Sequence, residues 1–200
     1  MSTEEIKEMY DRQAGEGTEF VKNNKEYHKK YCKALADIIN RYNPQTVCEA
    51  GVGEATTLKG IQEYIYRYTW LFGFDISPER LKYAQKNLPY AIFDISDMLD
   101  IDYQDDCFDV VYTSHSIEPN QGKEKEILKE LYRITKKYLI LLEPIYEYAS
   151  PEGKKRMEKL GYITNLLDAV ENYKVVESHL FEHCINKLNP TGLIVICKKS

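Results

Sequence analysis

The segment TVCEAGVGEATTL, Thr46 to Leu58, sets an acid and two closely spaced glycines at the end of an apolar run. Gly51 and Gly53 remove Cβ atoms where the chain must turn sharply, so a ligand can approach the backbone closely. Exposed amides at the start of the next helix can then face polar or anionic groups. A second apolar run, TWLFGFD, ends at Asp75, an acid placed where both hydroxyls of a ribose can be accepted. Each feature also has a plain structural use, Gly51 and Gly53 in a strand-to-helix turn and Asp75 at a helix start.

Two details separate the ribose-bearing ligands. A dinucleotide loop needs Gly or Ala three residues after its second glycine, and Thr56 stands there. Glu49, just before Gly51, would repel a pyrophosphate but suits a ligand carrying an ammonium group. Glu49 and Asp75 together ask for an amine at one end and a ribose in the middle. S-adenosylmethionine has both.

The elements needed to place these residues alternate in type. Tyr27, Tyr31, Leu35, Ile38, Ile39 and Tyr42 mark a helix over about 23–42, which Asn43-Pro44 ends. Strands are expected at 46–50, 69–75, 91–95, 107–113 and 138–142. Between them, helices carry Leu58, Ile61, Ile65 and Tyr68, then Leu81, Ala84 and Leu88, then Ile127, Leu128, Leu131 and Ile134. Ser77-Pro78 reads as N-cap and first residue of the second of these helices. Residues 152–172 read as a helix broken near Gly161, and 174–184 and 192–198 as two closing strands. Apolar strands alternating with helices give an α/β fold, a doubly wound, mostly parallel seven-stranded sheet with an antiparallel C-terminal hairpin and helices on both faces. We expect one domain over 1–200, with 1–22 as an N-terminal helix or lid and 23–200 as the core.

The whole chain fits such a domain. Its 43% hydrophobic content supports a core, and a net charge of −5 argues against a nucleic-acid partner. No apolar run approaches the roughly 20 residues that span a bilayer, and the N-terminus lacks an apolar secretion segment. Cys32, Cys48, Cys107, Cys184 and Cys197 show no zinc spacing, and read as reduced core cysteines of a cytoplasmic protein. No metal site is expected.

Four stretches resemble the class I S-adenosylmethionine-dependent methyltransferases: VCEAGVGEAT (47–56), LFGFDISPERLKYA (71–84), FDISDML (93–99) and CFDVVYTSHSIEPN (107–120). They occur in family order and spacing across roughly Lys33 to Leu142. The resemblance implies that Glu49, Gly51 and Gly53 hold the methionine portion and Asp75 the ribose. It places Ile76 and Arg80 beside the adenine, Asp94 on its amino group and the Ile95 backbone on a ring nitrogen. Ser114 and His115 fall where the acceptor pocket begins, and the N-terminal segment around Tyr10 and Tyr27 falls where family members carry a lid. Ala55 replaces the family's common third glycine. Asp94 also belongs to an acidic run that would equally form a solvated loop.

For the transfer itself, His115, Glu118 and Glu143 lie at the ligand side of strands four and five. His115 suits proton removal near neutral pH, although a loop histidine can equally serve only packing. Glu118 and Glu143 are further candidates for that catalytic base, and equally suit acceptor binding or helix capping. Tyr146 and Tyr148 are expected to shape the acceptor pocket, and His179 and His183 to be structural. No Asn-Pro-Pro-Tyr motif, catalytic cysteine loop or catechol-type metal set is present, which favours a small-molecule acceptor. Two rivals remain at this point, a scaffold that binds the cofactor without transfer and a nicotinamide-dependent oxidoreductase.

Overall fold

The computed structural model describes residues 2–183 and 186–198. Seven strands, β1 (Thr46–Ala50), β2 (Trp70–Asp75), β3 (Ile92–Ile95), β4 (Phe108–Ser114), β5 (Thr135–Pro144), β6 (Val175–Leu180) and β7 (Thr191–Cys197), form one sheet. Their order is β3-β2-β1-β4-β5-β7-β6. β1 to β5 run parallel, and β7 pairs antiparallel with both β5 and β6. The order reverses between β1 and β4, so the crevice beyond their carboxyl ends is where such a sheet takes a ligand.

Helices cover both faces. On one, α3 (Lys25–Asn40), α4 (Thr56–Gln62) and α5 (Pro78–Asn87) bury Leu35, Ile39, Leu58, Ile61 and Ala84 against Val47, Val110 and Ile140. On the other, α6 (Glu124–Ile134) and α8 (Leu166–Val170) bury Ile127, Leu131 and Val170 against Cys48, Val111 and Leu139. Alternation along each strand feeds the two cores in turn. Gly60 makes the α3–α4 contact feasible, since a Cβ there would stand 2.4 Å from Cys32 Sγ. Ser77 caps α5 as expected, its hydroxyl accepting from the Arg80 amide at 3.2 Å, with Pro78 next in line.

The departures from the sequence reading are local. The first twenty residues fold into α1 (Thr3–Arg12) and most of α2 (Glu16–Asn23). α4 ends at Gln62, so Ile65 and Tyr68 lie beyond it; a turn closed by the Thr69 amide on the Tyr66 carbonyl brings the chain round to β2. β5 starts at Thr135, which pairs with Phe108 across a bulge. Gly161, with φ +66°, does break the helix after α7 (Pro151–Lys159). β6 stops at Leu180, and its expected end, Cys184, lies outside the described residues. Cys32 and Cys48 are buried, whereas Cys107 is exposed in the turn before β4 and Cys197 is only partly covered. His179 lies on β6 and pairs with Glu177 at 2.9 Å; His183 packs edge-on against Phe181.

Candidate functional site

The glycine loop follows from two left-handed residues. Gly51 has φ +68° and Gly53 φ +52°, and a Cβ on Gly51 would sit 2.5 Å from Met98 Cε and Ser116 Cβ. Gly73, across the sheet from Glu49, leaves room for Val52, whose methyl groups would meet a Cβ there at 2.7–3.0 Å. Ala55 also lies at positive φ, +56°, where the family's third glycine would adopt that conformation with less strain. The turn is then fixed from the neighbouring strand. Asp75 accepts from the Gly53 amide at 2.8 Å through Oδ2, and from the Ser77 amide at 2.9 Å through Oδ1.

Glu49 and Tyr112 are register partners on β1 and β4, so both side chains leave the sheet on one face. The Tyr112 hydroxyl donates to Glu49 Oε2 at 2.8 Å. Burial pushes the Glu49 carboxyl up to about 8, against the opposing effect of that hydrogen bond. Burial also raises Asp75, partly offset by the charge of Arg80. The Arg80 guanidinium stands 4.9 Å from the Tyr10 ring centroid, and its buried Nε has no hydrogen-bond partner. The crevice therefore holds two buried acids, a backbone that tolerates no added Cβ at Gly51, and a buried donor without an acceptor. That donor set fits a ligand with an ammonium, a ribose and a flat base.

Eight of the expected residues line this first cavity: Glu49, Gly51, Gly53, Asp75, Ile76, Arg80, Ser114 and His115. Its atom-free volume, open mouth included, is about 960 Å³. Asp94 and Ile95 do not line it. β3 pairs Asp94 with Phe74 and Ile95 with Asp75, so both residues stop level with the end of β2. Asp94 is exposed and accepts from the Tyr103 hydroxyl at 2.5 Å, and Ile95 is also exposed. Ser96, Asp97 and Met98 follow the strand end and line the cavity in their place.

A second cavity shares Thr56, Thr57, Ser114 and His115 with the first. His115 is held in the left-handed region at φ +54°, its amide donating to the Leu142 carbonyl at 2.9 Å. Its Nδ1 lies 2.5 Å from Glu118 Oε1 and its Nε2 2.8 Å from the Thr191 hydroxyl. Glu118 also lines the second cavity. Glu143 lines neither. It is fully buried beneath the loop, accepting from the Ser116 amide at 3.0 Å, and burial pushes its carboxyl up to about 7. Glu143 therefore positions the 115–117 loop instead of facing an acceptor. Tyr146 and Tyr148 also miss the pocket, for Tyr146 donates to Glu158 at 2.5 Å and Tyr148 points outward. The aromatic walls come from Phe20, Tyr27, Tyr31 and Tyr162.

Comparison with known proteins agrees with this geometry. Residues 47–138 match the family described as a methyltransferase domain. That match covers the glycine loop, Asp75 and His115, a little under half of the chain. It is 37% identical over 104 residues to ajmaline N-methyltransferase of Rauvolfia serpentina, a stretch equal to 44% of this chain and 35% of that protein. Its fold is similar to magnesium protoporphyrin IX methyltransferase from Synechocystis PCC 6803 solved with S-adenosylhomocysteine (TM-score 0.65, 13% identity, 86% of this chain and 84% of that one). It is also similar to a Haloferax volcanii complex of the Trm112 methyltransferase activator with a methyltransferase (TM-score 0.68, 17% identity, 94% and 96%).

Five residues around the site were not singled out by sequence as site residues. Tyr112 supports Glu49, and the Tyr31 hydroxyl lies 2.7 Å from Ser114 Oγ. Thr191 holds His115. Glu54, 2% exposed, accepts from the amides of Gly15 at 2.9 Å, Gly17 at 3.0 Å and Thr18 at 2.7 Å, and from the Thr18 hydroxyl. Asp11 accepts from the Ser77 hydroxyl at 2.5 Å. These contacts lay α1 across the first cavity, where Thr3, Ile6 and Tyr10 join its lining, while Tyr27 lines the second.

Proposed function

We propose that the chain transfers the methyl group of S-adenosylmethionine to a hydroxyl or amine of a small molecule. The observation that carries this reading is the junction of the two cavities at Thr56, Thr57, Ser114 and His115. One side supplies what the cofactor needs, and the other is open to an acceptor. Glu49 and the Gly51–Gly53 backbone would hold the amino-acid end, Asp75 the ribose, and Ile76, Arg80 and the 96–98 segment the adenine. When bound, S-adenosylmethionine supplies an already activated sulfonium methyl, so the protein's task is chiefly alignment. Glu118, by accepting from Nδ1 of His115, leaves Nε2 as the basic nitrogen that takes the acceptor's proton. Glu143 and Thr191 keep that ring in place.

The acidic balance of the chain supports a small acceptor over a nucleic acid. Among the described residues no helix is long and apolar enough to cross a membrane, and Cys32, Cys48, Cys107 and Cys197 are free thiols, which is compatible with a cytoplasmic setting. Methyl-labelled S-adenosylmethionine, incubated with the protein and fractionated metabolite pools, should label a small-molecule fraction. Cofactor binding with every fraction left unlabelled would refute transfer in favour of a cofactor-binding scaffold.

Glu49 adds a pH dependence. In the free protein it keeps its proton up to about pH 8, whereas an ammonium ligand requires the carboxylate. Binding below that pH therefore releases a proton, and affinity should rise with pH by up to about tenfold per unit between pH 6 and 8. The rise ends near pH 8, where Glu49 is already ionised in the free protein, and affinity falls once the ligand's own ammonium deprotonates. Calorimetry in buffers of different ionisation enthalpy reads the released proton directly, and Glu49→Gln should abolish both the release and the slope.

A further inference from the structure

We propose that the methyl acceptor is a hydroxylated aromatic acid, its ring among the tyrosines of the second cavity and its carboxylate on Arg156. The inference rests on the methyl-transfer reading above. Phe20 and Tyr27 meet edge to face at 6.4 Å, and Tyr27 and Tyr31 lie 6.0 Å apart, so α2 and α3 present a continuous aromatic wall. Tyr162 is a further aromatic ring in the lining of the same cavity. Such a slot favours a flat ring, through stacked or edge contacts that aliphatic acceptors do not make.

Charge then selects the substituents. Arg156 lines the second cavity and not the first. Its Nη1 donates to Asn189 Oδ1 at 2.6 Å, and its guanidinium lies 5.6 Å from the Tyr162 ring centroid. Among the described residues no carboxylate stands within 4.0 Å of it. The Tyr162 hydroxyl interacts with both Glu118 and Arg156, and Oε1 of Glu118 is engaged by His115. The planar fork of the guanidinium thus has donors to spare, in the geometry that a carboxylate accepts in pairs. A cationic acceptor would be repelled there, and an uncharged one would cover the guanidinium without a counter-charge.

His115 borders both cavities while Arg156 borders one, so the reacting hydroxyl and the carboxylate belong at opposite ends of the acceptor. In the transfer, the hydroxyl oxygen forms the new O–CH3 bond as the S–CH3 bond breaks. Sulfur keeps that electron pair, and the hydroxyl proton passes to His115 Nε2, which the Thr191 hydroxyl otherwise satisfies. Glu118 then faces the imidazolium, and the acceptor's carboxylate faces Arg156. Both charges are balanced.

The test is calorimetry of three phenols on protein saturated with S-adenosylhomocysteine: 3-(4-hydroxyphenyl)propanoate, uncharged 4-ethylphenol and the ammonium analogue tyramine. The carboxylate should bind at least tenfold more tightly than either of the others. Arg156→Gln should remove that preference, and Arg156→Lys should retain part of it. Equal or tighter binding of 4-ethylphenol or tyramine overturns the proposal, as does a carboxylate preference that survives Arg156→Gln. S-adenosylhomocysteine is titrated first in the same cell. Its failure to bind would refute the methyl-transfer reading itself, and the same phenols titrated into the free protein would still decide the selectivity of the cavity.

Discussion

Asp75→Ala should weaken S-adenosylmethionine binding by at least about a hundredfold. The carboxylate already accepts one backbone amide on each oxygen, Ser77 on Oδ1 and Gly53 on Oδ2. Each oxygen retains a second lone pair, and those two sites are what a pair of ribose hydroxyls would use. Hydrogen bonds to a charged group contribute about 1.5–3 kcal/mol each, so losing two removes about 3 kcal/mol or more. The loop loses its shape as well, because the Gly53 amide no longer has an acceptor where φ is positive. Asp75→Asn is not a mild control, since its amide nitrogen would confront an N–H donor on one side. Calorimetry with S-adenosylmethionine reads the loss, and circular dichroism confirms that the variant is folded. An unchanged affinity would remove Asp75 from the ribose site and with it the placement of the whole cofactor.

The place of Asp75 in the cavity was legible in the sequence because it is set locally, by an apolar strand that ends on an acid and a Ser-Pro helix start directly after it. The same holds for Glu49, Gly51 and Gly53. Asp94 shows the limit of that approach. It is the first acid of its strand, but where β3 ends is decided by pairing with β2, and the pairing carries the strand through Ile95. The lining of the cavity therefore falls three residues later, at Asp97 and Met98. The first acid beyond the strand end was the better signal. Glu143 failed for another reason. Its position at the ligand end of β5 was read correctly, but whether a strand-end side chain faces a cavity or a neighbouring loop depends on the loop's packing. Here the 115–117 backbone occupies it. Tyr146 and Tyr148 follow the ligand end of β5, but their loop turns them to Glu158 and to the surface, and the aromatic wall comes from α2, α3 and Tyr162.

Glu54→Ala should release the N-terminal helices and increase the cofactor dissociation rate by about a hundredfold. The partners of Glu54 lie 36 to 39 residues upstream, which is why no local pattern announced it. Three amides and one hydroxyl converge on one carboxylate at the turn between α1 and α2. Burial pushes this carboxyl up, yet the hydrogen bonds from Thr18, Gly15 and Gly17 together hold it below its ordinary value. A folded-state value below the unfolded one means stability that is present above about pH 4.5 and lost as the pH falls further. The segment from Gly15 to Thr18 is thus fastened to Glu54 at neutral pH and loosens in acid. Removing the carboxylate at neutral pH should leave the seven-stranded core intact, because α1 and α2 bury only Ile6 among their side chains. Opening costs the α1 side of the cofactor cavity, including Tyr10 over Arg80, and exposes the 13–24 stretch to protease. The expected pattern is faster cofactor release in stopped-flow displacement, faster cleavage within 13–24, and a melting temperature that moves by only a few degrees. Asp11→Ala should produce a smaller effect in the same direction, since it removes only the Ser77 contact and a long one to the Glu79 amide. Unchanged release with Glu54→Ala would mean that α1 does not gate the cavity it covers, and that the cofactor leaves through the acceptor side at the Ser114–His115 junction.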